Sequence, residues 1–284
     1  MKLCRFGLTG QEKPGLVDAS GTIRDLSAHI ADITGDTLDP KSLTKLQAID
    51  PNSLPMAPAG VRIGPPVNPL KVRNFIAVGL NYADHAAETG AAIPAEPILF
   101  NKLSNCIVGP NDEVMIPKGS LKLDWEVEIA FVMGRRCRYV EERDALDYVA
   151  GYAVCNDVSE RYFQIERGGQ WMKGKCFETS GPLGPWLVTT DEIKDVQNLS
   201  MFLDVNGKRM QSGSTKTMIF SIRHLVHYIS QYMVLEAGDV VTTGTPPGVG
   251  LGMKPNVFLK EGDVMRLGIE GLGEQTQKVV PFRL

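Results

Sequence analysis

Residues 123–134 alternate between polar and apolar side chains, reading Leu123-Asp124-Trp125-Glu126-Val127-Glu128-Ile129-Ala130-Phe131-Val132-Met133-Gly134. A period of two, β-branched and aromatic content and a closing glycine predict a strand. Successive strand side chains point to opposite faces, so Asp124, Glu126 and Glu128 share one face. Trp125, Val127, Ile129 and Phe131 share the other. Ala130 and Val132 continue the carboxylate face, and they do not belong on an exposed polar surface. Three acids at the mouth of a buried strand repel one another, and desolvating them is costly unless a cation compensates. A solvated edge strand with an acidic face is the alternative that this stretch alone leaves open.

The rest of the chain divides around that strand. Short strands and turns are predicted from Lys2 to about Leu26. Residues 25–49 have roughly helical spacing, interrupted by Gly35 and Pro40. Residues 51–69 hold Pro51, Pro55, Pro58, Pro65, Pro66 and Pro69 and read as an extended linker. A boundary near residue 68 follows, giving a small N-terminal domain with its linker (1–67) and a main domain (68–284). Within the main domain, 74–79, 97–102 and 151–159 read as strands, and 140–149 as an amphipathic helix. Residues 180–185 are too rich in Gly and Pro to be regular. A strand from Met201 enters an Asn206-Gly207 hairpin turn. Residues 221–234 carry Ile222, Leu225, Val226, Ile229 and Met233 on one helical stripe. Residues 238–250 form a strand leading into a Gly/Pro loop, and strands at 262–267 and 277–280 close the sheet.

Charge and composition narrow the function. A net charge of -3 with no long basic run disfavours nucleic-acid binding, which needs clustered Lys and Arg. The 43% hydrophobic and 22% charged content is that of an ordinary globular protein with a real core. Five cysteines, Cys4, Cys106, Cys137, Cys155 and Cys176, are scattered without a CxxC, against a disulfide framework or zinc knuckle and in keeping with a reducing cytosol. The first residues lack a charged segment followed by an apolar run, and no stretch reaches membrane-spanning length. A soluble cytoplasmic protein is expected, with no membrane or nucleic-acid partner.

Three groupings carry candidate chemistry. Convergent carboxylates from 124–128 suit a hard divalent ion such as Mg2+, Mn2+ or Ca2+. Asp157, at the end of the strand 151–159, is placed either toward those carboxylates or as the N-cap of the following helix. His85 and Glu88 stand at i and i+3 of a helix, where a carboxylate fixes the imidazole tautomer and raises its basicity. That makes a general base or an incidental surface pair. Arg161 and Gln164, three apart, share a helix face. Lys102 reads either as a phosphate or carboxylate partner or as a solvated lysine, the second being favoured by the sequence alone.

Asp-Trp-Glu-Val-Glu at 124–128, Asn-Asp-Val-Ser at 156–159 with Arg161 and Gln164, Gly-Lys-Cys-Phe at 174–177 and Thr-Gly-Thr-Pro-Pro-Gly-Val-Gly at 243–250 together resemble the fumarylacetoacetate hydrolase family. So does Gly79-Leu80-Asn81-Tyr82 with His85 and Glu88. The resemblance covers about residues 68–284. The N-terminal segment is similar to the small leading domain of bacterial members labelled ureidoglycolate lyase, and to that of 2,4-diketo-3-deoxy-L-fuconate or L-rhamnonate hydrolases. The resemblance implies an α+β, mostly β fold: a mixed β-sandwich or roll with a small N-terminal α+β domain, usually a homodimer. It implies Glu126, Glu128 and Asp157 as ligands of Mg2+ or Mn2+ (or Ca2+), with Asp124 outside that set. Residues 72–78 offer no further aspartate ligand, which points away from fumarylacetoacetate and toward the acylpyruvate branch. It further implies catalytic His85, Glu88 and Lys175, and Tyr82, Arg161, Gln164 and Thr245 as substrate contacts. Cys176, where the family often has serine, is expected to be a small packing residue. The implied activity is metal-dependent C–C hydrolysis of a 2,4-diketo acid to pyruvate and a hydroxy acid such as lactate. A decarboxylase of oxaloacetate or another 2-keto acid, a ureidoglycolate lyase, and an idle acid-binding scaffold are the alternatives.

Overall fold

The computed structural model describes residues 1–284, the side chain of Thr89 excepted. Every position of the strand Val127–Met133 is buried, because each face packs into a different core. Val127, Ile129, Phe131 and Met133 enter the larger core with Leu225 and Ile229, while Ala130 and Val132 enter a second core with Leu3 and Leu187. The predicted alternation is therefore present, with both faces dry. The predicted single strand, however, breaks in the middle of its acids. Leu123–Asp124 pairs with Ser159–Glu160 as a separate two-stranded piece. At the break, side chains replace the ladder: Glu126 N–H donates to Asn156 Oδ1 (3.2 Å) and Val127 N–H to Gln211 Oε1 (2.9 Å).

The main sheet runs in the order Ile23–Asp25, Lys13–Val17, Lys2–Phe6, Gly181–Thr189, Val149–Asn156, Val127–Met133, Val240–Thr242, Phe75–Gly79, Ile98–Lys102. Along this path only Val240–Thr242 and Phe75–Gly79 pair in parallel, among the described residues. A second, five-stranded sheet contributes Met201, Leu203, Met265 and Leu267 to the larger core, opposite Ile129 and Phe131. The helix Ile222–Tyr232, capped by Ser221, adds Ile222, Leu225, Val226 and Ile229 of the predicted stripe; Met233, its fifth member, lies past the helix end and is 38% exposed. The result is an α+β, mostly β fold of mixed sheets. Among the described residues no helix is long and apolar enough to cross a membrane.

Several expectations need correction. Residues 1–67 have no core of their own: Leu3, Leu16, Leu54 and Val67 bury together with Val132, Ala153 and Leu187. Their first strand extends the main sheet, with Leu3 opposite Leu187. The proline-rich stretch is packed rather than a free linker, since Ile63–Gly64 pairs with the first strand and Arg62 is clamped by Glu12 and Asp112. Gly35 and Pro40 begin helices (Gly35–Leu38 and Pro40–Gln47) instead of interrupting one. A proline at the first helical position gives up an N–H that has no partner there anyway. Residues Glu142–Tyr148 form a 3-10 helix, not an α-helix. Gly181–Thr189 is a buried strand despite its prolines, because Gln275 Nε2 donates to Val154 O (2.8 Å) and Gly184 O (2.9 Å). The hairpin turn is as predicted, with Asn206 and Gly207 at φ 52 and 76.

Because the N-terminal strand shares the sheet and its core, Leu3→Ala should lower the stability of the whole chain by about 2–5 kcal/mol. Denaturant unfolding should show one shifted transition; a separate early transition for the N-terminal segment would contradict the shared core.

Candidate metal centre and substrate cleft

The pairing of Val127–Met133 with Val149–Asn156 builds the site. Val127 stands opposite Asn156, so the next residue, Asp157, lies beside Glu126 and its N–H donates to Glu126 O (2.9 Å). One oxygen each from Glu126, Glu128 and Asp157 lies within 4.8 Å of the others. All three are buried, at 6%, 1% and 0% exposure. Asp157 is not the N-cap; Glu160 caps the helix Arg161–Ile165 through Phe163 N–H (2.7 Å).

Three cations hold this concentration of negative charge. Lys175 Nζ donates to Glu126 Oε2 (2.7 Å) and Asp157 Oδ2 (2.6 Å). Arg161 donates from Nη2 to Glu126 Oε1 (2.6 Å), from Nε to Asp124 Oδ2 (2.8 Å) and from Nη1 to Gln164 Oε1 (3.1 Å). Lys102 is not solvated but buried, its Nζ reaching Asp157 Oδ1 at 2.7 Å. Burial would lower its pKa, yet the Asp157 charge raises it and keeps the ammonium protonated. The strand period places Lys102 on the face of Phe100, which also lines the cleft.

The cations are shared unevenly. Burial pushes the Glu126 carboxyl up, but Lys175 and then Arg161 pull it below the ordinary carboxylate range. Glu128 meets no cation at ion-pair distance among the described residues; Gly244 N–H (2.9 Å) is its donor. Burial first, then the charges of Asp157 and Glu126, raise its pKa well above normal. A trio of hard oxygen donors with one uncompensated member fits a divalent cation of the Mg2+ or Mn2+ kind. Asp124 stands apart from the trio, its oxygens taken by Arg161 and by the N–H groups of Gly250 (2.7 Å) and Leu251 (3.0 Å).

These acids line a cavity of about 230 Å3 together with His85, Arg161, Gln164, Lys175 and Thr245. His85 sits on the helix Ala83–Thr89, with Nδ1 3.0 Å from Glu88 Oε2. Glu88 Oε1 also accepts from Gly248 N–H at 2.9 Å, which ties that helix to the Gly/Pro loop. Thr245 lines the cavity, but its hydroxyl donates to Val127 O (2.9 Å) and accepts from Gln211 Nε2 (2.8 Å). Gln211, which the sequence did not single out, thus braces both the acid strand and the loop. Tyr82 does not line the cavity: it is fully buried and its hydroxyl donates to Met201 Sδ (3.4 Å). Its phenol is kept neutral by burial and by the nearby Glu128 charge. Cys176 is partly buried, its Sγ 3.3 Å from Asn101 O.

An acid-lined cleft beside a histidine–glutamate pair, set on mixed sheets, defines a class of enzyme fold, and three comparisons give its family. Residues 74–280 match the family described as "Fumarylacetoacetate (FAA) hydrolase C-terminal". The chain belongs to the fumarylacetoacetate hydrolase family. A protein of Burkholderia ambifaria, whose name stops at a provisional "hydrolase", is 59% identical over 278 residues, 98% of each chain. The solved fumarylacetoacetate hydrolase of Exiguobacterium antarcticum is 36% identical with a TM-score of 0.87, covering 99% of this chain and 100% of that one. Maleylpyruvate hydrolase from Sphingobium sp. SYK-6, solved with manganese(II) and pyruvate, is 27% identical with a TM-score of 0.82, covering 100% of each chain.

Two substitutions probe the charge balance. Lys102→Met leaves Asp157 Oδ1 without its cation while Lys175 stays on Oδ2, and should cost about 1.5–3 kcal/mol of stability, read by denaturant unfolding. Glu128→Gln replaces the acid that no cation compensates and that burial holds toward its neutral form, so the metal-stripped protein should lose no stability. Titration with Mn2+ should then no longer raise the melting temperature as it does for the unsubstituted chain; an undiminished rise would exclude Glu128 as a ligand.

Proposed function

We propose that this protein is a metal-dependent hydrolase that cleaves the C3–C4 bond of a 2,4-diketo acid of the acylpyruvate type. The products are pyruvate and the acid derived from the acyl tail. A 2,4-diketo-3-deoxy-L-fuconate or L-rhamnonate, which would release lactate, is the substrate favoured by the sequence resemblance. The observation that carries this reading is the cavity that His85, bonded to Glu88 behind it, shares with the Glu126, Glu128, Asp157 trio. The manganese–pyruvate complex of the Sphingobium relative supports it.

A divalent ion held by Glu126, Glu128 and Asp157 would supply Lewis-acid stabilisation of the negative charge that develops on the oxygens of the keto acid. The protein's own groups do the rest. Glu88 holds the proton on Nδ1 of His85, which leaves Nε2 as the basic nitrogen. Nε2 takes a proton from water as the water oxygen bonds to C4. The C3–C4 electron pair moves into the pyruvyl fragment, C4 becomes the carboxyl carbon of the tail, and the proton that His85 took from water is returned to C3, which becomes the methyl of pyruvate. Lys175 and Arg161 add positive charge beside the reacting carbonyls, and Gln164 orients Arg161. Decarboxylation of a 2-keto acid would use the same acids but would need no water-activating pair.

The test is an assay of metal-stripped protein with Mg2+ or Mn2+ restored, offered an acylpyruvate, a 2,4-diketo-3-deoxy sugar acid, oxaloacetate and ureidoglycolate. Metal-dependent pyruvate plus a second acid is the expected result. CO2 from oxaloacetate or glyoxylate from ureidoglycolate, without C–C hydrolysis, would replace the reading. His85→Ala should lower kcat by roughly 100-fold to 10,000-fold while metal binding, followed by calorimetry, is kept. Near-normal turnover in that variant would rule out His85 as the base.

A further inference from the structure

The cavity has two chemically unlike halves. The acids and their cations form one half; Phe100, Ile165, Trp171, Val249 and Leu251 form the other. Trp171 is the largest side chain of the apolar half, and its seat is built by two neighbouring strands. Gly79 ends the strand Phe75–Gly79, and a Cβ there would stand 2.4 Å from Trp171 Cζ3. A glycine at 79 is what allows the indole to lie against the strand end. Phe100, from Ile98–Lys102, meets the indole edge-on, with ring centroids 5.5 Å apart at 70°.

No cation serves this half among the described residues. The two that line the cavity, Arg161 and Lys175, are each ion-paired with two carboxylates. The two basic residues flanking the wall in sequence do not line it. Lys173 Nζ donates to Arg167 O (2.7 Å), and the Arg167 guanidinium lies 5.6 Å over the Tyr162 ring.

Building on the hydrolase reading above, we propose that Trp171, seated on Gly79 and braced by Phe100, is the specificity-determining wall for the acyl tail. It selects an uncharged tail and rejects one that ends in a carboxylate. A methyl group pressed on this wall leaves water favourably, whereas a carboxylate there loses its hydration and meets no cation to replace it. Trp171 acts on the tail and not on the reacting carbons, so its contribution falls mainly on KM.

The test compares butyrylpyruvate with succinylpyruvate, which differ only in a terminal methyl against a carboxylate, on the Mn2+-loaded enzyme. We expect kcat/KM to favour butyrylpyruvate by roughly 100-fold. Trp171→Ala should raise KM for butyrylpyruvate about tenfold, change kcat far less, and narrow the ratio between the two substrates. Gly79→Ala, which displaces the indole, should narrow it as well. Ile165→Arg, at a position 49% exposed and therefore tolerant, should raise kcat/KM for succinylpyruvate alone. Equal use of both substrates by the unsubstituted enzyme overturns the assignment and leaves the hydrolase reading standing. So does a ratio unmoved in both folded Trp171→Ala and Ile165→Arg. Hydrolysis of neither substrate overturns the hydrolase reading, and this assignment with it.

Discussion

Asp124, Glu126, Glu128 and Asp157 are four buried carboxylates held by three buried cations, Lys102, Arg161 and Lys175. Charges of this kind are tolerated in an interior only when geometry pairs them closely. The surrounding elements can be understood from that demand. The acid strand breaks at Trp125 and Glu126, which lets Asp124 turn to Arg161 and to the loop at Gly250 while Glu126 turns to Lys175. The strand Ile98–Lys102 ends where its lysine meets Asp157, and the turn after Trp171–Gly174 delivers Lys175 between two acids. Counted as ions, the four acids outnumber the three cations by one, and Glu128, the acid with no cation of its own, relieves the excess by holding a proton where no metal is bound. That surplus is the physical reason the cluster suits a divalent ion.

Two dry faces on a single strand explain why the fold is continuous across its whole length. Ile129 and Phe131 face the core closed by the second sheet and the helix Ile222–Tyr232, while Ala130 and Val132 face a core that residues 1–67 help to close. The N-terminal segment therefore covers the continuation of the face that carries Glu128. Removing that cover would expose the sheet under the site, so the segment belongs to the stability of the catalytic body even though it offers nothing to the cavity lining.

Much of this was legible in the sequence where a local period was strong. The alternation at 123–134 gave the buried strand and the pairing of Glu126 with Glu128, though not the break that turns Asp124 away; Asn206-Gly207 gave the hairpin, and the spacing of His85 and Glu88 gave a pair that does form. What escaped depended on long-range partners. Lys102 looked like a solvated end residue, because nothing near it in sequence announces Asp157, 55 residues away. Residues 180–185 looked irregular, since the glutamine side chain that satisfies their backbone comes from position 275. Tyr82 sits one position from the strand-to-helix turn, and its direction, into the core rather than the cavity, is set by packing against Met201. Proline-rich composition misled for a related reason: Pro marks extended backbone, and extended backbone can add to a sheet edge as readily as it can span between domains.

Glu88 divides its two oxygens between segments 160 residues apart in sequence, the imidazole-bearing helix and Gly248 of the Gly/Pro loop. That loop also supplies Val249 and Leu251 to the apolar side of the cavity, and a Cβ on Gly252 would stand only 2.8 Å from the Glu88 carboxyl carbon. The part of the molecule that shapes what is accepted is thus bonded to the part that sets how the histidine is held. On the function proposed above, an engineer who reshaped the loop to admit a different tail would retune proton transfer in the same stroke, and preference and turnover would be, in design terms, one dial rather than two.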